Sequence, residues 1–220
     1  MTYARERGYA VNEYILNTPF TEEAAYLLGF WAGDGWVYKT QMAVALAERD
    51  RDHLVKLRSI MGSEHPIKKK VYKGHTCFAL SIGSRRLVDR LKELGIHPRK
   101  SLTYDPRKTL KHLPTSHHRH FFRGLIDADG YVSERHDRIV LTGTQKACQA
   151  FKKFLRTNGV ITEAKVSKDK DSNSYRFSIG GVHLTAQGCA LLYGDSSVSL
   201  SRKQASAKDI IKKSNSILNS

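Results

Sequence analysis

Two aspartates in matching contexts are the residues of this sequence best suited to catalysis. Asp34 and Asp129 lie 95 positions apart, and each is followed by glycine, an aromatic residue and valine. One Asp-Gly pair by itself is more often a turn. Two pairs in the same context predict carboxylates that act together, and neighbouring carboxylates repel each other unless a cation neutralises them. Carboxylate oxygens suit Mg²⁺, which can polarise a phosphate and activate water, so the expected chemistry is phosphodiester hydrolysis.

The overall charge favours the same kind of substrate. The 220 residues include 37 Lys and Arg against 21 Asp and Glu, which gives a formal net charge of +16. Such an excess of basic residues is typical of a protein that binds nucleic acid. The chain has no apolar run long enough to span a membrane and no apolar signal segment at its start. We therefore expect no membrane partner and a soluble, intracellular protein, in a prokaryotic or phage-infected cell or in an organelle.

The context of the two aspartates belongs to a longer internal repeat. Residues 27–37 match residues 122–132, and after a shift of two positions residues 81–83 match residues 178–180. Hydrophobic spacing and turn signals predict the order α-β-β-α-β-β-α in each copy. The sequence thus predicts an α+β fold of two pseudo-symmetric halves. Its expected parts are an N-terminal extension at 1–20, a first half at 21–105 and a second half with a C-terminal helix at 106–220.

The helix predicted before each aspartate carries small residues four positions apart. Gly29 and Gly33 share one face of the first helix, and Gly124 and Ala128 share one face of the second. Such faces let two helix backbones approach closely. We expect the helices to pack along a pseudo-twofold axis, which would place the two aspartates side by side. The carbonyl groups of Gly33 and Ala128, freed at the helix ends, are expected to join them as metal ligands.

Alternation along the predicted strands indicates which face of each sheet is buried. Phe78, Leu80 and Ile82 share one face and are expected in the core, as are Phe177 and Ile179 in the second half. The opposite faces carry small or polar residues, which are unsuited to a second core. These faces are expected to admit a ligand as wide as duplex DNA.

The stretches at 27–35 and 122–130 resemble the two signature helices of LAGLIDADG homing endonucleases of the single-chain, two-motif type. The second stretch reads Phe-Arg-Gly-Leu-Ile-Asp-Ala-Asp-Gly, and the resemblance covers residues 21–201. It implies αββαββα halves whose two antiparallel sheets form a saddle on DNA, with a two-helix interface. It also implies a monomer that hydrolyses both strands of a long, asymmetric double-stranded target, encoded by a mobile intron or intervening sequence.

By this resemblance, Asp34 and Asp129 are the catalytic, metal-binding carboxylates. Glu48 and Gln145 occupy the place near the end of the second strand where the family has a polar residue that orders water. Mg²⁺ is the implied cofactor, Mn²⁺ is expected to substitute for it, and Ca²⁺ is expected to bind without efficient turnover. The sixth position of the second motif is Asp127 where the first motif has alanine, which predicts a difference in helix surface only.

The sequence departs from the family where a lysine often follows the fourth strand, because Gly83 and Gly180 stand there. A basic residue from elsewhere is expected to replace it, with Lys39, Lys68, Lys70 and Lys165 as candidates. The residues predicted to contact DNA are Lys39, Lys68, Lys70, Arg85, Lys100, Arg138, Lys165, Arg176 and Lys203. If no lysine replaces the missing one, the alternative is a protein that binds nucleic acid without cutting it. Such a binder could be a maturase for intron RNA or a DNA-binding regulator.

Overall fold

The computed structural model describes residues 8–72, 74–170 and 172–219, whose elements form two similar sets. The first set is α1 (Glu22–Gly33), β1 (Trp36–Tyr38), β2 (Gln41–Ala47), α2 (Arg51–Ile60), β3 (Ile67–Tyr72), β4 (His75–Gly83) and α3 (Arg85–Glu93). A linker with the short helix α4 (Arg107–Leu110) follows. The second set is α5 (His118–Asp129), β5 (Gly130–Ser133), β6 (Arg138–Gly143), α6 (Gln145–Thr157), β7 (Ser167–Lys168), β8 (Tyr175–Gly180), α7 (Val182–Tyr193) and α8 (Ser201–Leu218). The predicted order αββαββα therefore occurs twice.

Each half folds its strands into one four-stranded antiparallel sheet with the same topology. The strand orders are β1-β2-β4-β3 and β5-β6-β8-β7. Val44 pairs with Leu80 in the first sheet and Leu141 pairs with Phe177 in the second, and all four side chains are buried in the core. We call the other face of each sheet its open face. Paired residues on the open faces include Ala45 with Ala79, and Thr142 with Arg176.

The helices α1 and α5 form the interface between the halves. A Cβ atom added to Gly29 would overlap the carbonyl oxygen of Phe121. A Cβ atom added to Gly124 would overlap the carbonyl oxygen of Tyr26, so the contact is reciprocal. Glycine is needed at both positions because backbone meets backbone there. This close approach brings the carboxyl ends of the two helices together, as the small residues predicted.

Two elements of the second half differ in extent from their equivalents in the first half. Helix α6 begins at Gln145, because Thr144 Oγ1 accepts the N–H of Ala147 at 3.0 Å and caps the helix. Strand β7 has only two residues, because the turn between β7 and β8 is longer and polar. Lys73, Asp171 and residues 1–7 lie outside the described residues. Of the helices in the described ranges, none is both long and apolar enough to cross a membrane.

Candidate functional site

The carboxyl ends of α1 and α5 bring Asp34 and Asp129 to one place. Asp34 directly follows α1, and its N–H donates to the carbonyl oxygen of Phe30 at 3.1 Å, whereas Asp129 is the last residue of α5. A Cβ atom added to Gly33 would overlap the methyl group of Ala128 and lie 3.2 Å from Oδ2 of Asp129. The helix ends are therefore in contact. The two aspartates, both exposed, share one site that solvent can enter.

Protein atoms surround both carboxyl groups closely even though solvent reaches them. For Asp129, this desolvation and the nearby charge of Asp34 raise the pKa to about 6. For Asp34, desolvation also raises the pKa, while the charges of Lys203 and Lys100 act against that rise. Keeping both carboxylates ionised here costs free energy unless a positive charge compensates them. The arrangement therefore favours a bound cation.

One buried lysine reaches the end of each of these helices. Lys100, at the start of a 3₁₀ turn after α3, donates to the carbonyl oxygen of Gly33 at 3.0 Å and to that of Gly35. Lys203 lies in the first turn of α8. It donates at 2.7 Å each to the carbonyl oxygens of Ile126, Asp127 and Gly130. Each lysine thus satisfies carbonyl groups that the helix end leaves without a backbone partner.

The burial of these lysines corrects the prediction that they contact DNA from helix edges. Lys100 is 7% exposed and Lys203 is 2% exposed, so neither side chain lies on the surface. They are also the basic residues that stand near the carboxylates in place of the lysine missing at Gly83 and Gly180. The four candidates suggested for that place are all exposed: Lys39, Lys68, Lys70 and Lys165. The structure instead places Lys100 of the first half and Lys203 of the second half near the two aspartates, where their charges lower the pKa of both carboxyl groups.

The environment of the two lysines shifts their proton affinity. Burial lowers the pKa of Lys203 to about 8, and the charges of Asp127 and Asp34 act in the opposite direction. Burial also lowers the pKa of Lys100, against the charges of Asp129 and Asp34. A lysine whose pKa is near 8 can exchange a proton close to neutral pH. Both lysines therefore combine a structural role at a helix end with a position next to the carboxylates.

The donor set fits a hard divalent cation that retains most of its water. Within the described ranges, no group of three or more His, Cys, Asp or Glu side chains is arranged to hold a metal. Mg²⁺ commonly binds through one or two carboxylates together with waters and phosphate oxygens, which matches what Asp34 and Asp129 offer. Of the carbonyl ligands suggested by the sequence, that of Gly33 already accepts from Lys100. Ala128 directly precedes Asp129, and its carbonyl remains a predicted ligand.

The two polar residues expected to order water lie just beyond the second strand of each half. Glu48 opens the 3₁₀ turn Glu48–Asp50 after β2, and Gln145 is the first residue of α6. Both are exposed, and neither side chain has a hydrogen bond or ion pair to any residue that the structure describes. Asp50, at the end of the same turn, is buried and adds to the rise in the pKa of Asp34. No motif or spacing indicated that Asp50 lies near the site.

Most of the predicted DNA contacts are exposed, and several lie on the open faces. Lys68 and Lys70 pair with Ala79 and Cys77, which places them on the open face of the first sheet. On the second sheet, Arg176 pairs with Thr142 on the open face. The predicted contacts that the structure leaves exposed are Lys39, Lys68, Lys70, Arg85, Arg138, Lys165 and Arg176. The open faces thus carry the basic side chains of Lys68, Lys70 and Arg176.

Two exposed aromatic side chains flank the aspartates. Trp36 is 42% exposed and Tyr131 is 48% exposed, and each is the second residue after its aspartate. In the strand registers, Trp36 pairs with Ala43 and Tyr131 pairs with Val140, so both rings lie on the open faces. The sequence showed an aromatic residue at both positions, but its exposure depends on the sheet register.

Asp127 is buried and connects three elements, which corrects the expectation of a simple difference in helix surface. Its carboxylate accepts hydrogen bonds from Tyr26 Oη at 2.7 Å, from Tyr193 Oη at 2.8 Å and from the N–H of Leu200 at 2.7 Å. Leu200 immediately precedes α8, the helix that carries Lys203. Asp127 therefore fixes the start of α8. The first motif, which has alanine at this position, cannot make these bonds.

A repeated dipeptide marks the two lysines in the sequence without indicating their role. Arg99-Lys100 follows α3, and Arg202-Lys203 follows α7, the equivalent helix of the second half. The linkers that lead to the two dipeptides differ in length, so no single register aligns the two lysines. The tertiary contacts with the helix ends then show what the dipeptides have in common.

Comparison with known proteins agrees with the motif and the fold. Residues 21–101 and 116–188 match the model of the LAGLIDADG-like domain. An A-type ATP synthase subunit of Pyrococcus abyssi (strain GE5 / Orsay) is 27% identical over 162 residues, which are 73% of this chain and 16% of that protein. The chain thus spans about a sixth of that relative.

Solved structures share the fold at low sequence identity. Full-length DUF199/WhiA from Thermatoga maritima superimposes with a TM-score of 0.58 at 16% identity, covering 92% of this chain and 64% of that one. The endonuclease I-DmoI, solved in complex with DNA and Ca, gives a TM-score of 0.59 at 14% identity, covering 85% of this chain and 97% of that one. At these identities the likeness shows the fold alone.

Proposed function

Because this chain belongs to the LAGLIDADG-like domain family, we propose that it is a site-specific endonuclease that hydrolyses both strands of double-stranded DNA with Mg²⁺. The observation that carries the proposal is the meeting of Asp34 and Asp129 at two equivalent helix ends, each beside a buried lysine. The pseudo-twofold axis relates one aspartate and one lysine of the first half to one aspartate and one lysine of the second. Each half could therefore act on one strand of a duplex. A protein that only bound DNA would have no evident need for paired carboxylates facing phosphates.

Asp34 and Asp129 would hold the metal, which supplies Lewis acidity and lowers the pKa of bound water. The pKa of Asp129, about 6, means that protons compete with the metal for this carboxylate below that pH, and the raised pKa of Asp34 acts in the same direction. Lys100 and Lys203 hold positive charge next to the site, where they offset the negative charge that gathers on a phosphate during hydrolysis. Glu48 and Gln145, both exposed at the ends of the second strands, would orient water from the side of the sheets.

The open faces would carry the contacts with DNA. Arg138 and Arg176 on the second sheet can read base edges or bind phosphates, whereas Lys68 and Lys70 on the first sheet flank a row of alanines. The two faces are chemically different, which suits an asymmetric target. Because both halves belong to one chain, a monomer would cover the whole site.

A second candidate function is binding to DNA or intron RNA without cutting. It is favoured by one observation: both lysines beside the carboxylates already donate to backbone carbonyl groups. Hydrogen-bonded in this way, they could serve only to hold the helix ends. In that case, replacing an aspartate would leave the function intact or tighten binding, because a repulsive charge near the phosphates is removed.

The decisive experiment is cleavage of a randomised DNA library in Mg²⁺, followed by sequencing of the cut ends. We expect double-strand breaks at one long motif, similar cleavage in Mn²⁺, and binding without efficient cleavage in Ca²⁺. The matched variants Asp34→Asn and Asp129→Asn should bind the selected site and fail to cut it. Selective binding with no cutting in Mg²⁺, in Mn²⁺ or in Ca²⁺ alike would support the second candidate function, binding without cleavage.

A further inference from the structure

A cavity of about 460 Å³ lies on the helical side of the second half. It is lined by residues of α4, α5 and α6 and of the turns beside them, and no strand residue borders it. Its floor consists of apolar side chains. The floor residues are Leu110, Phe122, Ala150 and Phe154. The cavity therefore belongs neither to the open faces nor to the site of the two aspartates.

The rim of this cavity is strongly basic. Arg107, Lys111, Lys146 and Lys153 border it, and none of its lining residues carries a carboxylate. Arg107 and Lys146 are both paired with Asp105, which lies outside the lining, Lys146 at the longer distance of 3.9 Å. Lys153 makes no hydrogen bond or ion pair with the residues that the structure describes. An apolar floor with an unbalanced basic rim is complementary to a ligand that carries both apolar and acidic groups.

The chain itself covers the equivalent position of the first half. In the register of 97 residues, Lys56 corresponds to Lys153 and Leu57 corresponds to Phe154. Lys56 Nζ donates to the carbonyl oxygen of Ser199 at 3.2 Å and to Ser201 Oγ at 2.8 Å. Both acceptors belong to the segment 197–201 that leads into α8. In the first half, Lys56 therefore binds a backbone carbonyl group and a serine hydroxyl group of this segment.

The segment that covers the first half also buries apolar side chains. Val198 is 5% exposed and Leu200 is 3% exposed. Ser197 Oγ donates to Glu23 Oε1 at 3.4 Å, and the position equivalent to Glu23 in the second half is His118, which lines the cavity. The covering segment is thus held by polar contacts along its length, including backbone bonds of Val198 and Leu200 with side chains of α5, and by its buried apolar side chains. Among the residues that the structure describes, no such segment covers the corresponding surface of the second half.

We propose that this cavity is the docking site for a short, acidic polypeptide segment of a partner protein. One or two apolar side chains of the segment lie on the floor, its backbone accepts from Lys153, and its carboxylates face the basic rim. Nucleic acid fits less well, because Phe122 and Phe154 are 1% and 8% exposed and offer no free ring face for a base to stack on. The proposal does not depend on whether the protein cuts DNA.

The test is binding of a fluorescein-labelled peptide of alternating Leu and Glu residues, followed by fluorescence anisotropy. We expect binding in the micromolar range to the full chain. Gln149→Glu, on the exposed rim, and Ala150→Trp, which fills the floor, should each weaken binding about tenfold or more. Lys208→Glu, on the exposed surface of α8, lowers the net charge further than Gln149→Glu does and should leave binding within about twofold.

Two controls separate docking from general attraction to a basic protein. A peptide with serine in place of every leucine should bind at least about tenfold more weakly, because it cannot use the apolar floor. Equal binding of both peptides, or equal loss in Lys208→Glu and Gln149→Glu, would overturn the proposal. It would also be overturned if a labelled single-stranded RNA lost binding in Gln149→Glu and Ala150→Trp while the peptide did not. Thermal unfolding of each variant verifies that it is folded, and Gln149→Glu remains informative if Ala150→Trp is not.

Discussion

In both halves a buried lysine binds the end of the interface helix, α1 or α5, but the contacts around the two lysines differ. Lys100 donates to two carbonyl oxygens at the end of α1, and Lys203 donates to three at the end of α5. The start of α8, which carries Lys203, is fixed further by Asp127 and by an ion pair of Arg202 with Asp50 at 3.0 Å. Contacts from both halves therefore hold the helix that carries Lys203. Lys100 lies in the 3₁₀ turn that follows α3 of the first half.

The outer surfaces of the halves differ more than their interface. The open face of the first sheet is lined by small residues such as Ala45 and Ala79, and that of the second sheet by Thr142 and Arg176. Strand β3 has six residues and β7 has two. The duplication is therefore retained where two backbones must meet, and is lost on the open faces and in the outer strands.

The largest effect is expected at the helix interface, where both halves should respond equally. In Gly29→Ala and Gly124→Ala, the new methyl group would overlap backbone of the facing helix. We expect each variant to lose more than about 4 kcal/mol of unfolding free energy or to fail to fold. Chemical denaturation gives the measurement. Gly83→Ala is the matched control, because nothing lies within 4 Å of its added Cβ atom, and it should stay close to wild type.

A smaller loss is expected from Asp127→Ala, a change in the second motif whose hydrogen bonds have no counterpart at Ala32 of the first motif. The change leaves the buried hydroxyl groups of Tyr26 and Tyr193 and the N–H of Leu200 without their acceptor. We expect a loss of about 3 kcal/mol in unfolding free energy, measured by urea denaturation. In the first half, Ala32→Ser serves as the comparison and should change stability by less than about 1 kcal/mol. Equal losses in both variants would contradict the asymmetry between the halves.

Replacing Lys100 and Lys203 tests whether the two lysines contribute equally to the free energy of unfolding. Lys203→Met leaves three carbonyl oxygens without their donor, and Lys100→Met leaves two. We expect losses of about 2 and about 1 kcal/mol in unfolding free energy, respectively. If the protein cuts DNA as proposed, both variants should also cut DNA more slowly than wild type, with a smaller change in DNA affinity. Loss of stability with unchanged cleavage would assign the lysines a structural role only.

The smallest effect is a gain in stability from Asp129→Asn. Folding raises the pKa of Asp129 to about 6, so its charge opposes folding above that pH. The opposition fades as the pH falls towards about 4, the ordinary value of a carboxyl group. Without metal, the Tm of the variant should exceed that of wild type by a few degrees at neutral pH and equal it near pH ~4. Asp34→Asn should shift the Tm in the same direction, because desolvation raises the pKa of Asp34 too.

Added Mg²⁺ provides the control for the last prediction. A metal that binds only the folded wild type stabilises it, so the difference in Tm should shrink or reverse as the concentration of Mg²⁺ rises. An unchanged difference at high Mg²⁺ would contradict the assignment of Asp129 as a ligand. The two aspartate variants are compared under the same conditions, which makes the difference between the halves directly visible.

Sequence patterns predicted the fold class and the place of the aspartates, because both depend on local periodicity and on the repeat. The spacing of Gly29 and Gly33 indicated a close helix interface, and the alternation around Leu80 indicated the buried sheet face. The roles of Lys100 and Lys203 could not be predicted in this way. Each lysine lies 65 or more positions from the carbonyl groups it binds. Such contacts depend on how the turn after α3 and the helix α8 pack against the ends of α1 and α5.

The sequence by itself determined the duplication, the carboxylate pair and the basic character of the protein. Those features follow from residue types at fixed spacing, which a helix or strand converts directly into a face. Only the tertiary structure decided that Lys203 is buried at a helix end, that Asp127 anchors α8, and that the segment 197–201 binds Lys56 of the first half. These outcomes depend on contacts between distant segments, where burial and hydrogen bonding outweigh the ordinary preference of a charged side chain for water.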